Sequence, residues 1–370
     1  FKLMDEALAA LSDANAGVPP LGATYDGGTV NSMLHQAFAG LRNVKEFEEC
    51  KFFSKCKVGR VSLPYVPYGF LEYHDDSGGK HVLIGGMDTR HCVKRMCAHA
   101  NVGSRTVYWG SCFTDLSTMV PQGLPYKSYT QHDEQSDAAA WAILNPQNLP
   151  PQLHGLATGA HILAFVVSLL TSGSEGGDDV PPAVRFFHAI TAYYILILNV
   201  QIAVLKRGRL QWESAFLPLT SVRNASLNCM QVLSVALFAD CSVRPNVFAE
   251  HQQERHYGRI KSFFRGTPSI RDGIMGAQKQ HLQQMRTPVS ASPKPSGTIT
   301  VPEAQALAKQ AWDFACRFQS WITCGKTPKA IADDFAVFWE SEGNKLLTWK
   351  KGEVVSDDPV VGMYADEDLF

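Results

Sequence analysis

The sequence predicts an α/β protein divided by a long all-helical block and followed by a further helical region. Three observations predict it. Residues 1–41 read as helix, strand, aspartate, helix. Residues 60–87 read as a β-hairpin, with the alternation and turn residues that such a unit needs. From Ala138 to Ser174, and again from Phe186 to Leu205, the chain carries no charged side chain, the pattern of helices buried in a large core.

The totals agree. A chain of 370 residues buries a large core and has room for two or three domains. With 45% hydrophobic and 19% charged residues it belongs with globular proteins and not with disordered ones. A net charge of −1 provides no general basic field, so any contact with nucleic acid must come from local patches. Nine cysteines, an odd number with no CxxC pair, fit free thiols in a reducing compartment, nuclear or cytoplasmic. The chain starts at Phe1 inside a helical pattern, which suggests a fragment of a longer protein.

In order, Phe1, Leu3, Met4, Ala7, Leu8 and Leu11 give the first helix. Pro19 and Pro20 end it, and Leu21 to Tyr25 is a short apolar strand leading to Asp26-Gly27-Gly28. Thr29 or Asn31 caps a second helix carrying Met33, Leu34, Ala37, Phe38 and Leu41. An aspartate at the C-terminal end of a strand is a common place for a site in α/β folds, and Asp-Gly is equally a plain turn. Arg60 to Tyr73 and Lys80 to Met87 form the hairpin around Asp75-Asp76-Ser77-Gly78-Gly79. The hairpin delivers Asp88, then a basic helix on which His91, Lys94 and Arg95 share a face. His91, Cys92, Cys97 and His99 are metal-ligating types, but their spacing matches no familiar zinc site.

Residues 100–133 read as loops with short strands or helices. Phe186–Leu205 is 20 residues long, enough to span a bilayer, and with Leu153–Thr171 it raises a membrane reading. His188, Thr191, Asn199 and Gln201 speak instead for a buried helix within protein. Thr287 to Thr300 is a Pro/Ser-rich linker, Val301 opens a helix through Trp321, and Pro328 opens another to about Leu347. Cys324-Gly325-Lys326-Thr327 looks like the end of a phosphate-binding loop, but the required first glycine would fall at Ser320 and no strand precedes it.

The stretch Asn246 to Gly273 reads as a helix with Glu254 in its middle. Tyr257, Ile260, Lys261 and Phe264 fall in one arc beside Glu254, so this carboxylate sits at the edge of an apolar stripe. Such a carboxylate needs a cation, unless it belongs to an ordinary surface helix with charge pairs. Arg255, Arg259, Lys261 and Arg265 make the end of the helix basic.

Three phrases in this order resemble the ribonuclease-H-like transposases of cut-and-paste DNA elements, of the P-element and hAT type. They are Asp26-Gly27-Gly28-Thr29-Val30-Asn31, Asp88-Thr89-Arg90-His91-Cys92-Val93-Lys94 and Glu254-Arg255-His256-Tyr257-Gly258-Arg259-Ile260-Lys261. The resemblance implies a ribonuclease-H-like core begun in residues 1–132, a helical insertion over 133–245 and a final core helix over 246–286. A linker at 287–300 and a C-terminal helical appendage with an acidic tail at 301–370 would follow. It further implies metal-dependent cleavage and strand transfer on DNA, with Mg²⁺ or Mn²⁺ held by Asp26, Glu254 and Asp88. His91, Lys94, Arg95, Arg255, Arg259, Lys261 and Arg265 would contact phosphate, and further copies of the chain would be partners.

Two assignments of the acidic set stay open. In the preferred one, the first aspartate of the family lies upstream of this sequence and Asp26 is the second. In its rival, Asp26, Asp88 and Glu254 are the complete triad. Two other functions also stay open: a catalytically dead, domesticated DNA-binding or scaffold protein, and a helical membrane-associated protein.

Overall fold

The first helix, α1 (Lys2–Ala14), buries Leu8 and Ala9 and turns one carboxylate inward. Asp5, itself buried, accepts the backbone N–H groups of Lys51 at 2.7 Å, Phe52 at 2.8 Å and Phe53 at 3.0 Å. Three donors compensate its loss of water and cap the single helical turn Phe53–Lys55. These details come from a computed structural model, which describes residues 2–15, 17, 19, 22–25, 36–41, 49–101, 106–114, 140, 158–175, 180–207, 215–239, 298–323 and 325–343.

Four strands form one sheet: β1 (Gly22–Tyr25), β2 (Cys56–Arg60), β3 (Gly69–His74) and β4 (Lys80–Met87), in the order β1-β4-β3-β2. The expected hairpin is β3–β4, and β2 extends it to an antiparallel meander. Its turn is held by Asp75, whose Oδ1 accepts from Ser77 N at 2.9 Å, Ser77 Oγ at 2.7 Å and Gly79 N at 2.6 Å. Residues of β3 alternate between buried and half-buried, as in a strand with one face on the core. The last five residues of β4 are all buried, because β4 has a strand on each side and a helix packed on it. β1 runs parallel to β4, pairing Gly22 with Ile84 and Tyr25 with Met87.

After β4 come α2 (Thr89–Asn101) and a small hairpin of β5 (Val107–Trp109) and β6 (Cys112–Thr114). The helical block follows as α3 (Thr158–Glu175), α4 (Pro182–Arg207) and α5 (Leu219–Phe238). Two more helices, α6 (Val301–Thr323) and α7 (Pro328–Phe338), end in a π-helical turn over Trp339–Gly343. The chain is therefore a mixed α/β protein, mostly helical, with two small sheets among the described residues.

α4 is the axis of the helical part. It packs against α3, α5 and α6. By length and composition it is long and apolar enough to cross a membrane, yet 78% of its most apolar stretch is buried inside the protein. Its polar residues find protein partners: Tyr193 donates to the Tyr65 carbonyl at 2.9 Å and Tyr194 to the Pro64 carbonyl at 2.6 Å. Asn199 pairs with Gln319 of α6.

α6 follows the expected bounds closely, but α6 and α7 are walls of the same core. Ala304, Ala308, Ala311 and Ala315 are fully buried and line one side of α6, where small side chains allow close approach to α4. Trp312 meets Tyr65, Tyr194 and Phe335. Even the end of the expected linker is fixed, since buried Ile299 donates its N–H to the Ala236 carbonyl of α5 at 3.1 Å. Gly325, Lys326 and Thr327 simply join two helices. Thr327 caps α7 by accepting from Ala330 N, and Lys326 pairs with Asp334 at 2.7 Å.

Candidate functional site

Of the acidic residues singled out by sequence, Asp88 is described. Asp26 and Glu254 lie outside the described residues, as do Arg255, Arg259, Lys261 and Arg265.

Asp88 stands where β4 becomes α2. It is 3% exposed. Its Oδ1 accepts the Arg90 N–H at 3.1 Å, and its carbonyl accepts the Cys92 N–H at 3.2 Å. It thus acts as an N-cap of α2, with a negative side chain at the positive end of the helix dipole. Neighbouring β1 ends at the same level, because Tyr25 is in register with Met87. In the sequence each of these two residues is followed by an aspartate, Asp26 and Asp88. Adjacent strands lie about 4.8 Å apart.

A third element holds the junction. α5 crosses the end of β4 and turns two buried amides onto Met87. Gln231 Oε1 accepts the Met87 N–H at 2.7 Å. Asn228 Nδ2 donates to the Met87 carbonyl at 3.0 Å and to Thr89 Oγ1 at 2.8 Å. Sequence reasoning missed both residues. The available signal was a pair of amides three positions apart in an otherwise apolar helix, Asn228-Cys229-Met230-Gln231.

The exposure pattern of α2 separates two faces. Cys92, Val93, Met96 and Cys97 are buried, while His91, Lys94, Arg95 and Ala98 are half-buried and form one stripe at helical spacing. Lys94 and Arg95 are thereby within reach of the surface on the side expected from sequence. The cysteines of α2 face the core. Burial pushes the Cys92 thiol up to about 12, with the nearby Asp88 charge adding to the shift, and burial raises Cys97 further. Cys97 Sγ lies 3.7 Å from the Ala140 carbonyl. Among the described residues no group of three or more His, Cys, Asp or Glu is placed to hold an ion. The side chain of His99 lies outside the described residues.

What the described part supplies is one buried carboxylate at a strand end, a half-buried basic stripe one to two turns further on, and a helix from the helical block that fixes the joint between them. No family model, curated protein or solved structure matches the chain.

Proposed function

We propose that the chain is a transposase-like protein of the P-element and hAT type, whose β1–β4 sheet belongs to a ribonuclease-H-like core. In this reading Asp88, with Asp26 and Glu254, holds divalent cations for cleavage and strand transfer on DNA. The observation that carries it is the parallel register of Tyr25 with Met87, each followed in sequence by an aspartate. It favours the assignment in which Asp26 and Asp88 belong to one acidic set over the one that looks for the first aspartate upstream.

The donor chemistry at Asp88 fits a hard cation. A carboxylate oxygen at a rigid strand end suits Mg²⁺ or Mn²⁺. When bound, such ions lower the barrier to attack of a hydroxyl on phosphorus and stabilise the leaving oxygen. The chain's own part is to hold the Asp88 carboxylate in place through α2 and α5, and to present Lys94 and Arg95 to the DNA backbone. Phosphate contacts of that kind make binding fall steeply with salt.

A second reading has a specific observation in its favour: the bond from Arg90 N–H to Asp88 is what an ordinary N-cap requires, as in a scaffold protein that keeps the fold without chemistry. Asp88→Asn separates the two, because Asn is as good an N-cap as Asp but a far poorer cation ligand. The proposed function predicts that Asp88→Asn in the full-length protein abolishes Mg²⁺-dependent cleavage of duplex DNA and leaves the thermal melt unchanged. Cleavage equal to wild type assigns Asp88 to capping alone.

A further inference from the structure

Gln201, near the end of α4, differs from the other polar residues of that helix. It is 3% exposed. Asn199, two residues earlier, is paired with Gln319. The Gln201 side chain meets no hydrogen-bond partner among the described residues. Burying an unpaired amide costs stability that an apolar side chain at the same position would not cost. Packing alone therefore does not account for it.

The amide lines a cavity of about 210 Å³ where four elements meet. They are the end of α4, the end of α6, the start of α7 and the turn between β5 and β6. These walls are tied to one another. Gly110 in the turn has a φ of 64°, and a Cβ there would collide with the Ile322 carbonyl of α6. Ser111 N donates to that same carbonyl at 2.8 Å. Lys206 Nζ donates to the Gly110 carbonyl at 2.6 Å. The cavity is thus preformed, as sites for small molecules usually are.

Its lining selects a class of ligand. Ile202, Leu205 and Ile331 give apolar wall, and Leu205 stands 65% exposed. The polar groups with bonds to spare are donors: the Gln201 amide, the Ser111 hydroxyl and the Lys206 ammonium. Lys206 pairs with no carboxylate among the described residues. Asp334 in the lining is already held by Lys326 at 2.7 Å, so one positive charge is left over. An apolar cavity of roughly 150 Å³ accepts benzene, so this larger one has room for a single ring and a short acidic arm.

We propose that this cavity binds a small monocarboxylate with an apolar body, the ring against Ile202, Leu205 and Ile331 and the carboxylate on Lys206 and the Gln201 amide. None of the described lining residues belongs to β4, α2 or α5, so the proposal does not depend on the role of Asp88.

The test is calorimetric titration of the 370-residue chain with phenylacetate and with phenylacetamide, its neutral counterpart, alongside urea midpoints. Phenylacetate should bind saturably and at least about tenfold more tightly than phenylacetamide, the difference of a charged hydrogen bond. Lys206→Met should bind phenylacetate no better than phenylacetamide. Gln201→Leu should weaken both by about tenfold while its urea midpoint equals or exceeds that of wild type. Lys309→Met, at an exposed lysine of α6 outside the cavity, should leave both affinities unchanged. If Lys206→Met does not fold, Gln201→Leu and the comparison of acid with amide on wild type carry the test. No saturable binding of phenylacetate to wild type, equal affinity for acid and amide, or wild-type affinity in both cavity variants overturns the proposal.

Discussion

Asn199 on α4 and Gln319 on α6 exchange two hydrogen bonds in the dry centre of the helical part. Asn199 Nδ2 donates to Gln319 Oε1 at 3.0 Å, and Gln319 Nε2 donates back to Asn199 Oδ1 at 3.2 Å. Both side chains are essentially inaccessible to water, and Asn199 Nδ2 also reaches the Ile195 carbonyl at 2.8 Å. Removing Gln319 strands the buried Asn199 Oδ1, and removing Asn199 strands the Gln319 amide. Asn199→Leu or Gln319→Leu alone should cost about 1–3 kcal/mol in urea unfolding. The double variant Asn199→Leu/Gln319→Leu should cost less than the sum of the two, because neither amide is then stranded. Additive losses would mean that the pair does not act as a unit.

Asp5 ties α1 to the sheet. Its carboxylate accepts three backbone N–H groups across nearly fifty residues of sequence. Asp5→Ala strands those donors and should destabilise the chain by about 1–3 kcal/mol. Asp5→Asn keeps acceptor capacity on one oxygen only and should cost less. Hydrogen exchange at Phe52 and Phe53 should rise in Asp5→Ala before exchange in the helical block does.

The β3–β4 turn should confer acid sensitivity. The Ser77 hydroxyl, then the His81 ring at 2.9 Å and the Gly79 N–H, hold the Asp75 carboxyl well below its ordinary 3.8. A folded value below the unfolded one means that the stabilisation is complete above about pH 4 and is lost as pH falls through and below that value. The urea midpoint of Asp75→Asn should therefore change less between pH 5 and pH 3 than that of wild type. Parallel curves would remove Asp75 from the acid response.

His188 works in the opposite direction on the pH scale. Burial lowers its imidazole from the ordinary 6.5, and its Nδ1 lies 2.8 Å from Ser172 Oγ. The unfolded chain then takes up the proton more readily than the folded one. Stability should be full above about pH 6.5 and decline as pH drops below it. His188→Gln should flatten that decline when urea midpoints at pH 7.5 and pH 5 are compared. An unchanged decline would assign the effect to other groups.

Gly159, in the first turn of α3, lies against β6. A Cβ there would collide with the backbone carbonyl of Phe113, which cannot swing aside as a side chain can. Gly159→Ala should lower stability by several times the effect of an exposed helix substitution, on the order of 2–3 kcal/mol. A thermal melt equal to wild type would contradict the close packing of α3 on the β5–β6 hairpin.

Much of this architecture was legible in the sequence. The β3–β4 hairpin showed itself through alternation and through Asp75 with its glycines. The helices α3, α4, α6 and α7 showed themselves through charge-free or periodic runs and through Pro328. The position of α6 and α7 was not legible, because the Ala304–Ala315 face that docks on α4 is composed of small residues with a weak apolar signal. The partnership of β1 with β4 was hidden for a different reason. A four-residue strand carries too little pattern to choose a neighbour, and parallel pairing is decided by contacts distant in sequence. For the candidate site, residue types pointed to Asp88 and to the His91, Lys94 and Arg95 stripe. Asn228 and Gln231 were invisible, since their role depends on where α5 crosses the sheet.

The central claim is that Asp88 and Asp26 act on a common divalent cation at the end of the parallel pair. A double-mutant cycle in Mn²⁺ affinity addresses it most directly. Asp26→Asn and Asp88→Asn should each weaken binding by more than about tenfold, at least as much as loss of a residue that merely orients a ligand. The double variant should be little worse than either single one, because both remove the same site. Wild-type affinity in either single variant, or losses that add fully in the double, would contradict a shared site.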